Sequence, residues 1–100
     1  MSTPKAPAGH FTLLYFAAAS SHTGRQHDHF PAPIPVTQVF DLLEKRYSGI
    51  REKVLDSSAL TVNLDYVDLD EESEKSANGK GSLIIQAGDE VAIIPPVSSG

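Results

Sequence analysis

The sequence predicts an α+β fold, a small sheet with one main helix packed on one face, and three stretches carry that prediction. The chain closes on a short, branched, apolar run, Val91-Ala92-Ile93-Ile94, which reads as a buried strand ended by Pro95-Pro96. Near its start, Phe11 to Ala18 is apolar on both alternating faces, as a central strand should be. Between them, only Gln38 to Tyr47 keeps a sustained helical spacing of apolar residues. One hundred residues suit a single domain with one modest core. A hydrophobic share of 40% and a charged share of 21% are ordinary for a globular protein.

Charge and composition narrow the function. A formal net charge of -5 argues against a nucleic-acid binder, which would carry a basic face, and suits a partner with a basic surface. The chain has no cysteine, so disulfides, thiolate metal sites and a cysteine nucleophile are all excluded. Any sulfur this protein handles must sit on something other than a side-chain thiol. Met1 to Gly9 lacks the apolar core of a secretory signal and reads as a disordered lead-in. No run approaches membrane-spanning length, and a cytosolic location is expected.

In order along the chain, Phe11 to Ala18 forms the first strand. Its two apolar faces pose a question, because a single helical layer covers only one side of a small sheet. Loops could cover the second face, or part of it could dock a partner subunit. Ser20 to Gly24 reads as a turn, and Arg25 to Ile34 as an edge strand ended by Pro31, Pro33 and Pro35. His22, His27, Asp28 and His29 cluster there, but with no Cys or Glu nearby to complete a site they read as polar side chains on an exposed edge, and no metal is expected. Thr37 is placed to cap the helix, with Val39, Leu42, Leu43 and Tyr47 facing the sheet. Asp41 and Lys45 are spaced to pair across one turn, and Gly49 to cap the C-terminus. Ile50 to Leu55 reads as a second short helical turn, and Leu60 to Leu64 as a third strand. Tyr66-Val67 can begin another pairing segment. Asp68 to Gly81 is acidic and polar and reads as a solvated surface loop. Leu83-Ile84-Ile85 returns to the core, and Gly88-Asp89 turns the chain into its last strand.

The C-terminus carries the functional signal. A core strand delivers the chain to a stiff Pro-Pro step, and Val97 to Gly100 extend beyond it as a thin arm of small residues. Such an arm suits insertion into a narrow active site. The segment Gly88-Asp89-Glu90-Val91-Ala92-Ile93-Ile94-Pro95-Pro96-Val97-Ser98-Ser99-Gly100 resembles the C-terminus of the small, sulfur-carrying subunits of molybdopterin synthase. Leu14-Tyr15-Phe16-Ala17 and Val62-Asn63 match the same family, and the likeness runs from about Phe11 to Gly100 with an interruption at the acidic segment.

The resemblance implies a ubiquitin-like β-grasp, a mixed sheet whose last strand lies beside the first and parallel to it. It divides the chain into a lead-in at 1–9, a β-grasp domain at 10–95 and a functional tail at 96–100. It further implies that Gly100 is adenylated and converted to a thiocarboxylate, while Pro95, Pro96, Val97, Ser98 and Ser99 enter the partner. The implied partners are an adenylyltransferase-sulfurtransferase, which uses the ATP, and the large catalytic synthase subunit, in a heterotetramer of two small and two large subunits. The chain itself would bind no cofactor and supply no catalytic side chain, and neither nucleic acid nor membrane is implied. The family usually ends in Gly-Gly; Ser99 departs from that pattern and Gly100 keeps it. A related carrier or protein modifier serving thiamine or tRNA thiolation, and a plain β-grasp interaction domain, are the alternatives. The Pro95-Pro96-Val97 step speaks against the related carriers, which lack it.

Overall fold

The structure is a computed structural model that describes residues 5–96. Its main sheet has five strands: β1 (His10–Tyr15), β2 (His27–Pro31), β4 (Ala59–Val62), β5 (Asp65–Val67) and β7 (Glu90–Ile94). Their order is β2-β1-β7-β4-β5, with β1 and β7 parallel and every other pair antiparallel. The sheet is therefore mixed, with the last strand at its centre and beside the first. A small second sheet joins β3 (Ile34–Pro35) to β6 (Ile84–Ile85). The helices are α1 (Ala18–Thr23), α2 (Val39–Arg46), α3 (Ile50–Lys53) and α4 (Leu69–Ala77).

Strand alternation decides what is buried. Phe11, Leu13 and Tyr15 of β1 join Val91 and Ile93 of β7 and Leu60 and Val62 of β4 on one face. Val39 and Leu43 of α2 close over that face, with Ile50, Val54, Leu55 and Ile85 around them. Leu42 and Tyr47 are only partly buried at its margin. This is the helix-on-sheet layer that the apolar spacing predicted.

Several local expectations are corrected. The turn expected at Ser20 to Gly24 is the greater part of α1 with its cap, Gly24 at φ +72°. Thr37 does not cap α2, because the chain enters through a 3-10 turn (Val36–Gln38) and the cap position falls on Gln38. Asp41 pairs with Arg51 of α3 at 2.7 Å rather than with Lys45. Gly49, at φ +87°, opens α3 instead of closing α2. The Glu44 carboxylate fastens that corner, accepting from the Gly49 and Arg51 backbone N–H groups at 2.8 and 3.0 Å. These bonds hold Glu44 below the usual carboxylate range. The third strand stops at Val62, since Asn63 and Leu64 form the loop of the β4–β5 hairpin with φ +50° and +75°.

The largest correction is the acidic segment, which is not a loop. Its central part is α4, capped by Asp68, whose side chain accepts from the Glu71 N–H at 3.1 Å. Glu72 is buried; it accepts from the Leu83 N–H at 2.6 Å and from Lys75 at 3.1 Å. The Leu83 bond, then Lys75, pulls its carboxyl below the usual range.

Candidate functional site: the terminal strand and the open sheet face

β7 organises the site. Val91 and Ile93 point into the core, so Glu90, Ala92 and Ile94 point to the opposite face. The register places Leu14 and Thr61 on either side of Ala92, and Tyr66 beyond Thr61. Phe16 and Leu64 complete a shallow trough of about 250 Å³ with these residues. Phe16 is 49% exposed, Tyr66 74% and Leu64 84%. β1 stops at Tyr15, short of the expected Ala18, and Phe16 just beyond its end extends an apolar surface across the open side of the sheet. An isolated exposed side chain needs no explanation, but a contiguous apolar surface marks a contact site.

The trough leads to the tail. Ile94 ends β7 on the trough side, Pro95 is buried and Pro96 is exposed. Val97, Ser98, Ser99 and Gly100 lie outside the described residues. The strand therefore hands the chain over at the edge of the apolar face. One turn and two hydrogen bonds fix the start of β7. Gly88, at φ +86°, donates its N–H to the His10 carbonyl at 2.9 Å. The Asp89 carboxylate accepts from the Gln86 N–H at 2.8 Å. Asn63 then clamps the β4–β5 hairpin to the same point: its amide donates to Asp89 at 3.2 Å, and its side-chain oxygen accepts from the Glu90 N–H at 2.9 Å. The Val62-Asn63 pair was legible in the sequence as a match; the clamp that Asn63 forms was not.

The histidine cluster separates by strand alternation. His27 and His29 stand on the open face of β2, opposite Leu14 and Thr12, with ring centroids 5.2 Å apart. Asp28 points the other way and is 3% exposed. It accepts from the Tyr15 hydroxyl at 2.8 Å and from the Tyr47 hydroxyl, and pairs with Arg25 at 2.7 Å. Burial, and then the hydrogen bond to Asp28, pushes the Tyr15 hydroxyl far up. Asp28 is a structural hub. Among the described residues no three His, Cys, Asp or Glu side chains are grouped to hold a metal ion. No helix among them is long and apolar enough to cross a membrane.

Comparison with known proteins bears on what this arrangement is for. The model of the ThiS family matches residues 13–100. The chain belongs to the ThiS family. This family member is 57% identical to the molybdopterin synthase sulfur carrier subunit of Pyrenophora tritici-repentis over 100 residues, covering 100% of both chains. The resemblance drawn from the terminal motif is borne out. Among solved structures, SAMP1 from Haloferax volcanii superposes with a TM-score of 0.68 at 21% identity, covering 92% of this chain and 100% of that one. A chain of the complex of subunits 1 and 2 of the molybdopterin-converting factor from Helicobacter pylori gives 0.54 at 18% identity, covering 91% and 99%. These likenesses establish the fold, and it is the ubiquitin-like β-grasp.

Proposed function

We propose that this chain is the sulfur carrier subunit of a molybdopterin synthase, with Gly100 as the residue that carries sulfur. One observation carries the reading. The central strand of the sheet runs out through Pro95-Pro96 to a terminal glycine, beside an open apolar face on which a partner can seat. The full-length likeness to a protein named as such a subunit supports it.

The chemistry starts from a carboxylate, a poor electrophile. An oxygen of the Gly100 carboxylate attacks the α-phosphorus of ATP on an adenylyltransferase-sulfurtransferase, and pyrophosphate leaves. A sulfide-level sulfur supplied by that enzyme attacks the acyl carbon, and AMP leaves, giving a thiocarboxylate. Its ionised sulfur is a better nucleophile than oxygen. The large synthase subunit then encloses the tail, and the sulfur passes to a cyclic pyranopterin phosphate while water returns the carboxylate; each tail delivers one sulfur, so two loaded tails are used for each dithiolene. Glycine suits the reacting position because no Cβ crowds the carbonyl.

In this reading the chain has three parts: a lead-in at 1–9, a docking domain at 10–95 and a reactive tail at 96–100. The domain positions the tail and the large subunit supplies the catalytic side chains, in a cytosolic heterotetramer of two small and two large subunits. The test is the intact mass of the protein purified from its own cells. A fraction heavier by the sulfur-for-oxygen difference, located at Gly100, is expected. Its absence from cells that are making molybdopterin would defeat the reading.

A further inference from the structure

The β4–β5 hairpin holds a residue that the fold itself does not favour. Its two-residue loop, Asn63-Leu64, has positive φ at both positions, the geometry for which Asn-Gly is the preferred sequence. Asn63 fits, since asparagine tolerates this region and its side chain clamps the start of β7. Leu64 does not fit. A leucine at φ +75° is strained by its Cβ, and at 84% exposure it gains little burial within the chain to offset that strain. Ala17, directly after Phe16, is strained as well, at φ +50° and ψ -124°. Among the described residues these three are the only non-glycine positions with positive φ; Leu64 lines the apolar trough, and Ala17 and Asn63 each sit next in sequence to a residue that does.

We propose that Leu64 is an anchor side chain, held outward at the hairpin tip to insert into an apolar pocket of the protein that encloses the C-terminal tail. This rests on the sulfur-carrier reading and adds a specificity-determining residue to it. The occupant follows from chain length. Residues 97–100 extend at most about 14 Å beyond Pro96. A protein large enough to close around Gly100 must therefore approach the end of β7 at Ile94, and the trough runs from there along the strand to Leu64, at the hairpin tip beside the start of β7. A second copy of this chain fits poorly. Glu90 lines the trough and the net charge is -5, so two such faces repel.

The turn makes the role separable from stability. Leu64→Gly installs the residue that the loop geometry prefers, and Leu64→Asn one that tolerates it. Both should melt at or slightly above the wild-type temperature. Titrated calorimetrically against the purified large synthase subunit, both full-length variants should bind about tenfold or more weakly than wild type, as loss of a central apolar anchor does. If they bind as wild type while Phe16→Asp loses binding, the docking reading stands and the anchor falls. If they melt well below wild type, Leu64 is holding the hairpin and the anchor also falls. If the wild-type chain does not bind the subunit, or the trough proves to be covered by a second copy in solution, the carrier reading of this face fails along with the anchor.

Discussion

Asp28 shows how much one residue's role depends on strand alternation. Beside His27 and His29 in sequence it reads as a polar side chain on an exposed edge; in the sheet it faces inward and is buried, where two tyrosine hydroxyls and Arg25 meet it. The hub ties β1, β2 and the end of α2 together, because Tyr15, Asp28 and Tyr47 come from those three places. Removing the carboxylate leaves both hydroxyls without their acceptor. Asp28→Ala should therefore cost about 2–4 kcal/mol, toward the lower end because Arg25 is half exposed. Tyr47→Phe removes one donor and should cost about 1 kcal/mol. Chemical denaturation measures both; an Asp28→Ala protein as stable as wild type would contradict the hub. The sequence could not reveal it, since the partners lie 13 and 19 positions away. The residues of apolar spacing fared better: Val39, Leu43, Ile50 and Val54 are buried where their periodicity placed them, and Leu42 and Tyr47 only partly so.

At the scale of elements, α4 separates what pattern can reveal from what it cannot. Its sequence, Leu69 to Ala77, offers almost no apolar stripe, so hydrophobic periodicity is silent. The signal that was present is the cap: Asp68 followed three residues later by Glu71, with acidic side chains in the first turn, where they suit the helix dipole. What docks the helix is a carboxylate, Glu72, reaching the Leu83 N–H across the following loop. Replacing Asp70 to Lys80 with a Gly-Ser linker should leave a folded chain, because loop length changes closure entropy slowly, but one with a lower melting temperature, because the Glu72 bond is gone. Sulfur loading of that variant should survive; its loss would make α4 part of recognition. The same bond predicts a pH dependence. The folded Glu72 carboxyl titrates below its unfolded value, so its contribution is complete above the ordinary glutamate range near pH ~4.3 and is lost as pH falls through the folded value. Glu44 acts in the same direction at the α2–α3 corner. Melting curves between about pH 3 and 6 should fall more steeply for wild type than for Glu72→Gln. Equal slopes would remove Glu72 as a source of the acid limb.

For the whole molecule, the arrangement is one sheet with two uses. One face is closed by α2, and the other offers the trough beside which β7 releases the tail. The order of elements and the central terminal strand were legible because the apolar runs at both ends are strong and Pro95-Pro96 marks where the last one stops. The trough was legible only as a suspicion, from the second apolar face of β1. Tyr66 and Leu64 joined it through hairpin register, which composition does not encode. This division of labour predicts that the tail is not sufficient. On the proposed carrier reading, a Gly100 held by the domain would meet an activating site at a high effective concentration, whereas a free peptide has only its own weak contacts. A synthetic peptide of residues 91–100 should therefore compete poorly in pyrophosphate exchange with the cognate adenylyltransferase, even in large excess over the intact chain. Phe16→Asp, which charges the trough but leaves the tail sequence whole, should raise the concentration needed for half-maximal exchange about tenfold or more while barely moving the melting temperature, since Phe16 is half exposed. Deleting Gly100 should instead abolish exchange without weakening binding of the domain. Ser99→Gly should change the rate only a few-fold, because an extended backbone accepts either residue. If the peptide is adenylated as readily as the whole protein, the open face has no part in loading, and the domain serves only as a handle for the tail.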